Sequence, residues 1–167
     1  MKRQWEKLET FLHNTNPALL ADLAPPATDA EIAVLEHGLG ISLPPDFVFC
    51  LKIHNGQRVN STGLFDESEF LSTSRILQEW TIWKELLDAG DFDGVESTPQ
   101  SGIQPVWWSP KWIPFTYNGA GDHLCLDLDP AQNGSQGQII TLWHDDDARE
   151  RQADSFTQWF TAFVEKL

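Results

Sequence analysis

Basic residues are scarce in this chain: eleven Lys and Arg stand against twenty-five Asp and Glu, a formal net charge of −14 over 167 residues. A field of that sign repels phosphate backbones and anionic lipid heads. It excludes nucleic acid and membrane surfaces as natural partners and favours basic proteins, beyond keeping the chain dissolved. Cysteine is scarce too. Cys50 and Cys125 have neither metal nor disulfide spacing and sit among apolar residues, so buried free thiols in a reducing cytosol are expected. No stretch approaches the roughly 20 apolar residues that span a bilayer. The opening Met1-Lys2-Arg3-Gln4-Trp5-Glu6-Lys7 has no apolar run behind its basic residues, so it reads as a helix start and not a signal peptide. The chain is read as soluble and cytoplasmic.

Catalytic signatures are missing as well. There is no G-x-S-x-G elbow, no Gly-rich phosphate loop and no βαβ alternation. The five histidines, His13, His37, His54, His123 and His144, lack the H-x-x-x-H and H-E-x-x-H spacings that place two ligands on one helix face. Neither a cofactor nor a resident metal is expected.

What is present is a core. Hydrophobic residues make up 41% of the chain, enough for one good-sized domain at this length and too little for two. Eight tryptophans and ten phenylalanines make that core aromatic, with rings to spare for a contact surface. Trp5, Leu8, Phe11 and Leu12 fall at helical steps, predicting a helix over 2–13. Thr28-Asp29-Ala30-Glu31 is a capping box opening a helix that Gly38 and Gly40 stop. Pro44-Pro45-Asp46 opens another, ending at Asn55-Gly56. Gly63 to Leu71 reads as a short strand, and Ser72 or Thr73 caps a helix through Trp80 and Trp83 to Gly90. Residues 88–105 read as a surface loop. Beyond it the period changes. In 123–129, Leu124, Leu126 and Leu128 face one way, while His123, Cys125, Asp127 and Asp129 form an opposite, solvated face. A second strand covers Gln138 to His144, and Ser155 caps a closing helix with an aromatic face. These elements make an α+β domain: N-terminal helices, a central antiparallel β-meander, and a C-terminal helix packed on the sheet.

Three groups of residues invite chemistry. Asp127 and Asp129 share a strand face, but a calcium loop begun at Asp127 meets Ala131, Gln132 and Gln138 where ligand, glycine and glutamate are required. His144-Asp145-Asp146-Asp147 is either a ligand cluster or a polar loop. Strand alternation points neighbours apart, which favours the loop, with its acids free to meet a partner. Trp107-Trp108-Ser109-Pro110-Lys111-Trp112 is either core or binding face. Three indoles in six residues are hard to bury together, so at least one is expected at the surface as an interface anchor. The candidate partner-binding residues are Trp107, Trp108, Asp122, Asp145, Asp146 and Asp147. A remote alternative makes Asp122, Asp127, Asp129 and His144 the site of a metal-dependent hydrolase.

In chain order, several segments match one pattern. Leu43-Pro44-Pro45-Asp46-Phe47 with Leu51 and His54-Asn55-Gly56 resembles an "LPxDY…L…NG" helix. Trp112-Ile113-Pro114-Phe115 with Asn118-Gly119-Ala120-Gly121-Asp122 resembles a "W-x-P-F…G-G-x-D" turn. Leu124 to Pro130 with Gly137 to Ile140, and Ser155-Phe156 with Trp159-Phe160, complete it. This order is similar to that of the SUKH superfamily, which groups yeast cell-wall-assembly regulators of the Smi/Knr type with bacterial relatives, and it runs from about residue 28 to the end. Phe47, Gln57 and Ala120 depart from the pattern, and none removes a catalytic group. The resemblance implies one SUKH-like domain over residues 1–167 that binds a protein and is not an enzyme. Among bacterial members the implied role is immunity, the neutralising of a toxin, often a nuclease whose basic surface an acidic inhibitor would meet. A regulatory or scaffold module of the cell-wall type is the alternative.

Overall fold

The computed structural model describes residues 1–58 and 61–167. Its helices are α1 (Lys2–Thr15), α2 (Pro17–Asp22), α3 (Asp29–Leu39), α4 (Pro45–Leu51), α5 (Thr73–Asp88) and α6 (Phe156–Glu165). Its strands are β1 (Glu69–Phe70), β2 (Thr98–Pro99), β3 (Trp112–Pro114), β4 (Thr116–Tyr117), β5 (His123–Asp127), β6 (Gln138–Leu142), β7 (Ala148–Arg149) and β8 (Arg151–Ala153). The chain is an α+β domain as its periodicity predicts, with α2 added where Asn16 caps Pro17.

The helix ends follow local chemistry. Glu31 N–H donates to Thr28 Oγ1 at 3.1 Å, and Glu31 Oε2 accepts Thr28 N–H at 2.8 Å, closing the capping box. Gly40, at φ 69°, ends α3 in left-handed geometry. Ser72 and Ser155 accept backbone donors from the first turns of α5 and α6. Asp46 has a second task beyond favouring the start of α4. Its Oδ2 accepts both the N–H and the O–H of Thr157 at 3.0 Å, so the acid of one helix start grips the start of another.

The main sheet is antiparallel in the order β3-β5-β6-β8, with Cys125 opposite Ile140 and Leu126 opposite Ile139. Helix α6 covers one face: Phe156 and Trp159 meet the Phe115 ring at 5.4 and 4.9 Å. Helix α5 packs on the other, where Trp83 lies 6.3 Å from the His123 ring and Trp80 Nε1–H donates to Pro110 O. This corrects the expectation of a solvated face on β5: His123, Cys125 and Asp127 are buried, more deeply than Leu124, and only Asp129 beyond the strand is half-exposed. Alternation identifies two faces but not whether each has a cover, and here a helix or loop lies over both. Helix α1 closes the assembly beside α6. Its Trp5 ring lies 5.1 Å from Phe160, and Gln4 donates to Thr161.

Residues 88–105 are more than a surface loop. β2 pairs in parallel with β7, and Ile103 is buried. The segment 63–71 holds only a two-residue strand, preceded by a tight hairpin. Phe65 and Ser68 exchange backbone hydrogen bonds across Asp66 and Glu67, whose φ values are 49° and 69°.

The Asn55-Gly56-Gln57 segment is a junction. Asn55 Oδ1 accepts the Thr73 N–H at 2.8 Å and so satisfies the start of α5. Gly56, at φ 70°, lies so close to the 70–72 backbone that a Cβ would sit 2.3 Å from Ser72 N. Gln57 fills the gap behind it. Its Oε1 accepts Leu64 and Phe70 N–H at 2.9 and 2.8 Å, and its amide donates to Asp22 and Thr62.

Candidate interaction surface

Ionisable groups in the interior are held by their own neighbours. Arg75 donates through Nε and one terminal nitrogen to both oxygens of Glu69, each at 3.1 Å, and its other terminal nitrogen lies 2.8 Å from Glu79. His123 Nδ1–H donates to Thr116 O at 2.7 Å, and burial pushes its pKa down to about 4, so the imidazole is neutral at physiological pH. Burial pushes the thiols of Cys50 and Cys125 far up, which removes both as nucleophiles. His54 joins Ala24 O to Glu9, each at 2.8 Å, the structural role expected for a helix-end histidine.

The tryptophan cluster turns inward. Trp108 is buried, stacked 6.2 Å from Trp83 and edge-on to Trp80 at 6.1 Å. Trp112 is fully buried, and Trp107 is half-buried beneath the Arg149 guanidinium, 4.8 Å from its ring. The expected surface anchor is therefore corrected for Trp108, against which α5 packs two indoles, while Trp107 keeps part of its surface in water beneath the cation. Arg149 itself is fully buried and donates to the carbonyls of Asp146, Ala148 and Trp107.

The acidic candidates divide. Asp122 and His144 meet at one end of the β5–β6 ladder. Oδ1 of Asp122 accepts the backbone N–H and the ring Nδ1–H of His144 at 3.0 and 2.9 Å, and Oδ2 accepts Asn118 at 2.8 Å. Partial burial pushes the Asp122 carboxyl up, but these bonds outweigh it and hold the carboxyl below its ordinary value. The bond to Asp122 raises His144. Gly121, at φ 105°, keeps the ring in place, since a Cβ there would sit 3.1 Å from it. Asp145 approaches His144 Nδ1 at 3.9 Å, so Asp122, His144 and Asp145 offer ligand atoms within 4.8 Å of one another. They are the residues that could hold a divalent ion, although Oδ1 and Nδ1 already satisfy each other. The remote metal set comes apart, because Asp127 lies buried at the far end of β5, bonded to Gln138 Nε2 and Asp129 N–H. Asp146 and Asp147 brace their loop, accepting from Ala148 N–H and the Thr98 hydroxyl, with Asp145 and Asp147 exposed.

The exposed indole is elsewhere. Trp143 is 38% exposed one residue beyond β6, beside a groove of about 370 Å³ between the end of α6 and the strands. Trp159, Phe163 and Phe65 form its aromatic side, and Asp66 and Glu150 stand among its lining. Strand alternation puts Trp143 on the face of Ile139 and Thr141, but only the fold shows that α6 leaves this end of the sheet open. A second groove, of about 360 Å³, lies between α3 and α5, where Val34 is 66% exposed.

A mixed α+β domain with a helix on each sheet face, its buried charges engaged internally and its open features a groove and acid-rich loops, is what the fold defines. The chain belongs to the SMI1 / KNR4 family (SUKH-1), whose sequence model matches residues 26–162. It is similar to the cell wall assembly regulator SMI1 of Saccharomyces cerevisiae, 25% identical over 98% of this chain and 39% of that protein. A glucan synthesis regulatory protein of Neurospora crassa is 27% identical over 98% of this chain and 37% of its own length. The cell wall biosynthesis/cell cycle regulator smi1 of Schizosaccharomyces pombe is 28% identical over 98% and 35%. The chain thus spans less than two fifths of the length of these relatives. Among the described residues no helix is long and apolar enough to cross a membrane.

Proposed function

We propose that this chain is a regulatory protein-binding domain of the kind named in its relatives, acting in the cytoplasm by contact and not by turning over a substrate. The observation that carries the reading is the alignment of 98% of the chain with proteins named as regulators of cell wall assembly and glucan synthesis. Neutral His123 and the raised thiols agree with it, since neither is poised for acid–base or nucleophilic work. The net charge of −14 directs the domain to basic protein surfaces and away from nucleic acid and anionic membranes. An affinity pull-down with the full chain tests this. Recovery of cell-wall synthesis or signalling proteins supports it; a chain that retains no protein at all counts against it.

A second reading, immunity against a basic and possibly nuclease toxin, is favoured by the exposed carboxylates of Asp145 and Asp147 beside Asp122. Co-expression with a toxin encoded beside this gene, followed by cell survival, decides between them. Rescue promotes the immunity reading, and no rescue leaves the regulatory one.

A further inference from the structure

We propose that the groove beside Trp143 docks a basic protein segment through one large apolar side chain, with the flanking lysines or arginines held by the acids around it. This rests on the protein-binding reading above and adds to it a place and a partner chemistry.

The groove has a ready-made anchor seat. Trp159 and Phe163 stack at 5.9 Å with an interplanar angle of 14°, and Phe65 stands edge-on to both, at 5.0 and 5.1 Å. Trp159 and Phe163 are only half-buried, and Trp143 leaves over a third of its surface in water on the opposite side. A volume of about 370 Å³ suits one leucine, phenylalanine or tryptophan with its adjoining backbone. Buried aromatic walls with a polar rim are the usual arrangement of an energetic centre in a protein contact.

The rim selects the occupant. Asp66 and Glu150 line the groove against a single base, Lys166. Asp66 presents its carboxylate from the hairpin before β1, at φ 49°, where glycine would sit at lower cost. A second copy of this chain would bring its own −14 to the same rim, and a nucleic-acid strand its phosphates, so a basic polypeptide is the occupant that the charge admits.

The test uses the whole chain and synthetic peptides: a twelve-residue Lys/Arg-rich peptide with one central Trp, its Trp→Ala counterpart, and an acidic peptide with the same Trp. Backbone amide and indole N–H resonances are followed by NMR during titration. The expected result is saturable movement of the Trp143 and Trp159 signals with the basic Trp peptide, with binding weaker by about tenfold or more for the Ala peptide and for Trp143→Ala. Binding should fall with added salt and in the Asp66→Asn/Glu150→Gln chain. Ala162→Arg, an exposed helical position in the groove lining, should block it with the melting temperature preserved. Movement confined to the α3–α5 groove, movement driven by protein concentration or by an oligonucleotide instead, or equal response to the acidic peptide would overturn the proposal. If Trp143→Ala and Ala162→Arg chains still retain every partner that the wild-type chain retains in the pull-down, the groove inference falls while the protein-binding reading stands.

Discussion

Asp122 Oδ1 accepts two donors from one residue, the backbone N–H and the ring Nδ1–H of His144, at 3.0 and 2.9 Å. The pair locks the β4–β5 turn to the end of β6, and it couples two titrations. His144 is raised above its ordinary value of 6.5, so its share of the stabilisation is complete below that pH and is lost as pH rises through its folded value. Asp122 is lowered, so its share is present above 3.8 and is lost as pH falls through its folded value. Both shares overlap between those two ordinary values. An NMR titration should give His144 a midpoint above 6.5, and Asp122→Asn should return it toward that value. An unchanged midpoint in Asp122→Asn would assign the shift elsewhere.

His123 behaves in the opposite sense. Burial brings it down to about 4 from 6.5, so the unfolded chain takes up the proton first and stability declines as pH falls through that interval. The loss from this group reaches about 3 kcal/mol in order of magnitude once both values are passed. Urea denaturation across this range should show the slope, and His123→Gln, which keeps a donor for Thr116 O, should flatten it. A slope unaltered in the variant would refute the assignment.

Glu67 sits at φ 69° in a two-residue turn. Replacing it with glycine removes the clash of its Cβ with the backbone and should stabilise the domain by about 1 kcal/mol, as read from the denaturation midpoint at constant m-value. A destabilised Glu67→Gly chain would mean that the side chain makes a compensating contact.

Gln57 follows the Asn55-Gly56 junction, and its amide serves four partners in the interior. Gln57→Gly leaves the Leu64 and Phe70 N–H groups without their acceptor, so a loss of about 3 kcal/mol is expected. Chemical denaturation measures it directly; a change below about 1 kcal/mol would indicate that water substitutes well.

Much of the fold was legible because its signals are local. The Thr28–Glu31 box, the stop at Gly40 and the Ser72 and Ser155 caps act within one turn of chain, and each lies where the residues place it. The family order was legible too, since Asp46, Asn55 and Gly56 do fixed jobs at short range or against one neighbour. What failed to show depends on segments far apart in sequence. Asp127 reads as solvated until Gln138 and Gly102 are brought over it, and Trp108 reads as exposed until Trp83 arrives from α5. The Asp122–His144 pairing was hidden for the same reason: alternation within one strand is silent about the neighbouring turn. Trp143 is silent in the sequence because an end-of-strand indole looks like core when the length of its covering helix is unknown.

The adjacency of Trp5 and Phe160 has a mechanical consequence. With the first and last helices side by side, tension applied through both ends of the polypeptide reaches the α1–α6 seam before it reaches the sheet. Those two helices would peel apart by breaking a few ring contacts and the Gln4–Thr161 bond in succession, while the ladder from β3 to β8 remains unloaded. The domain should therefore yield first at that seam, with the α6 rings still packed on Phe65 and Phe115 after α1 has parted from them.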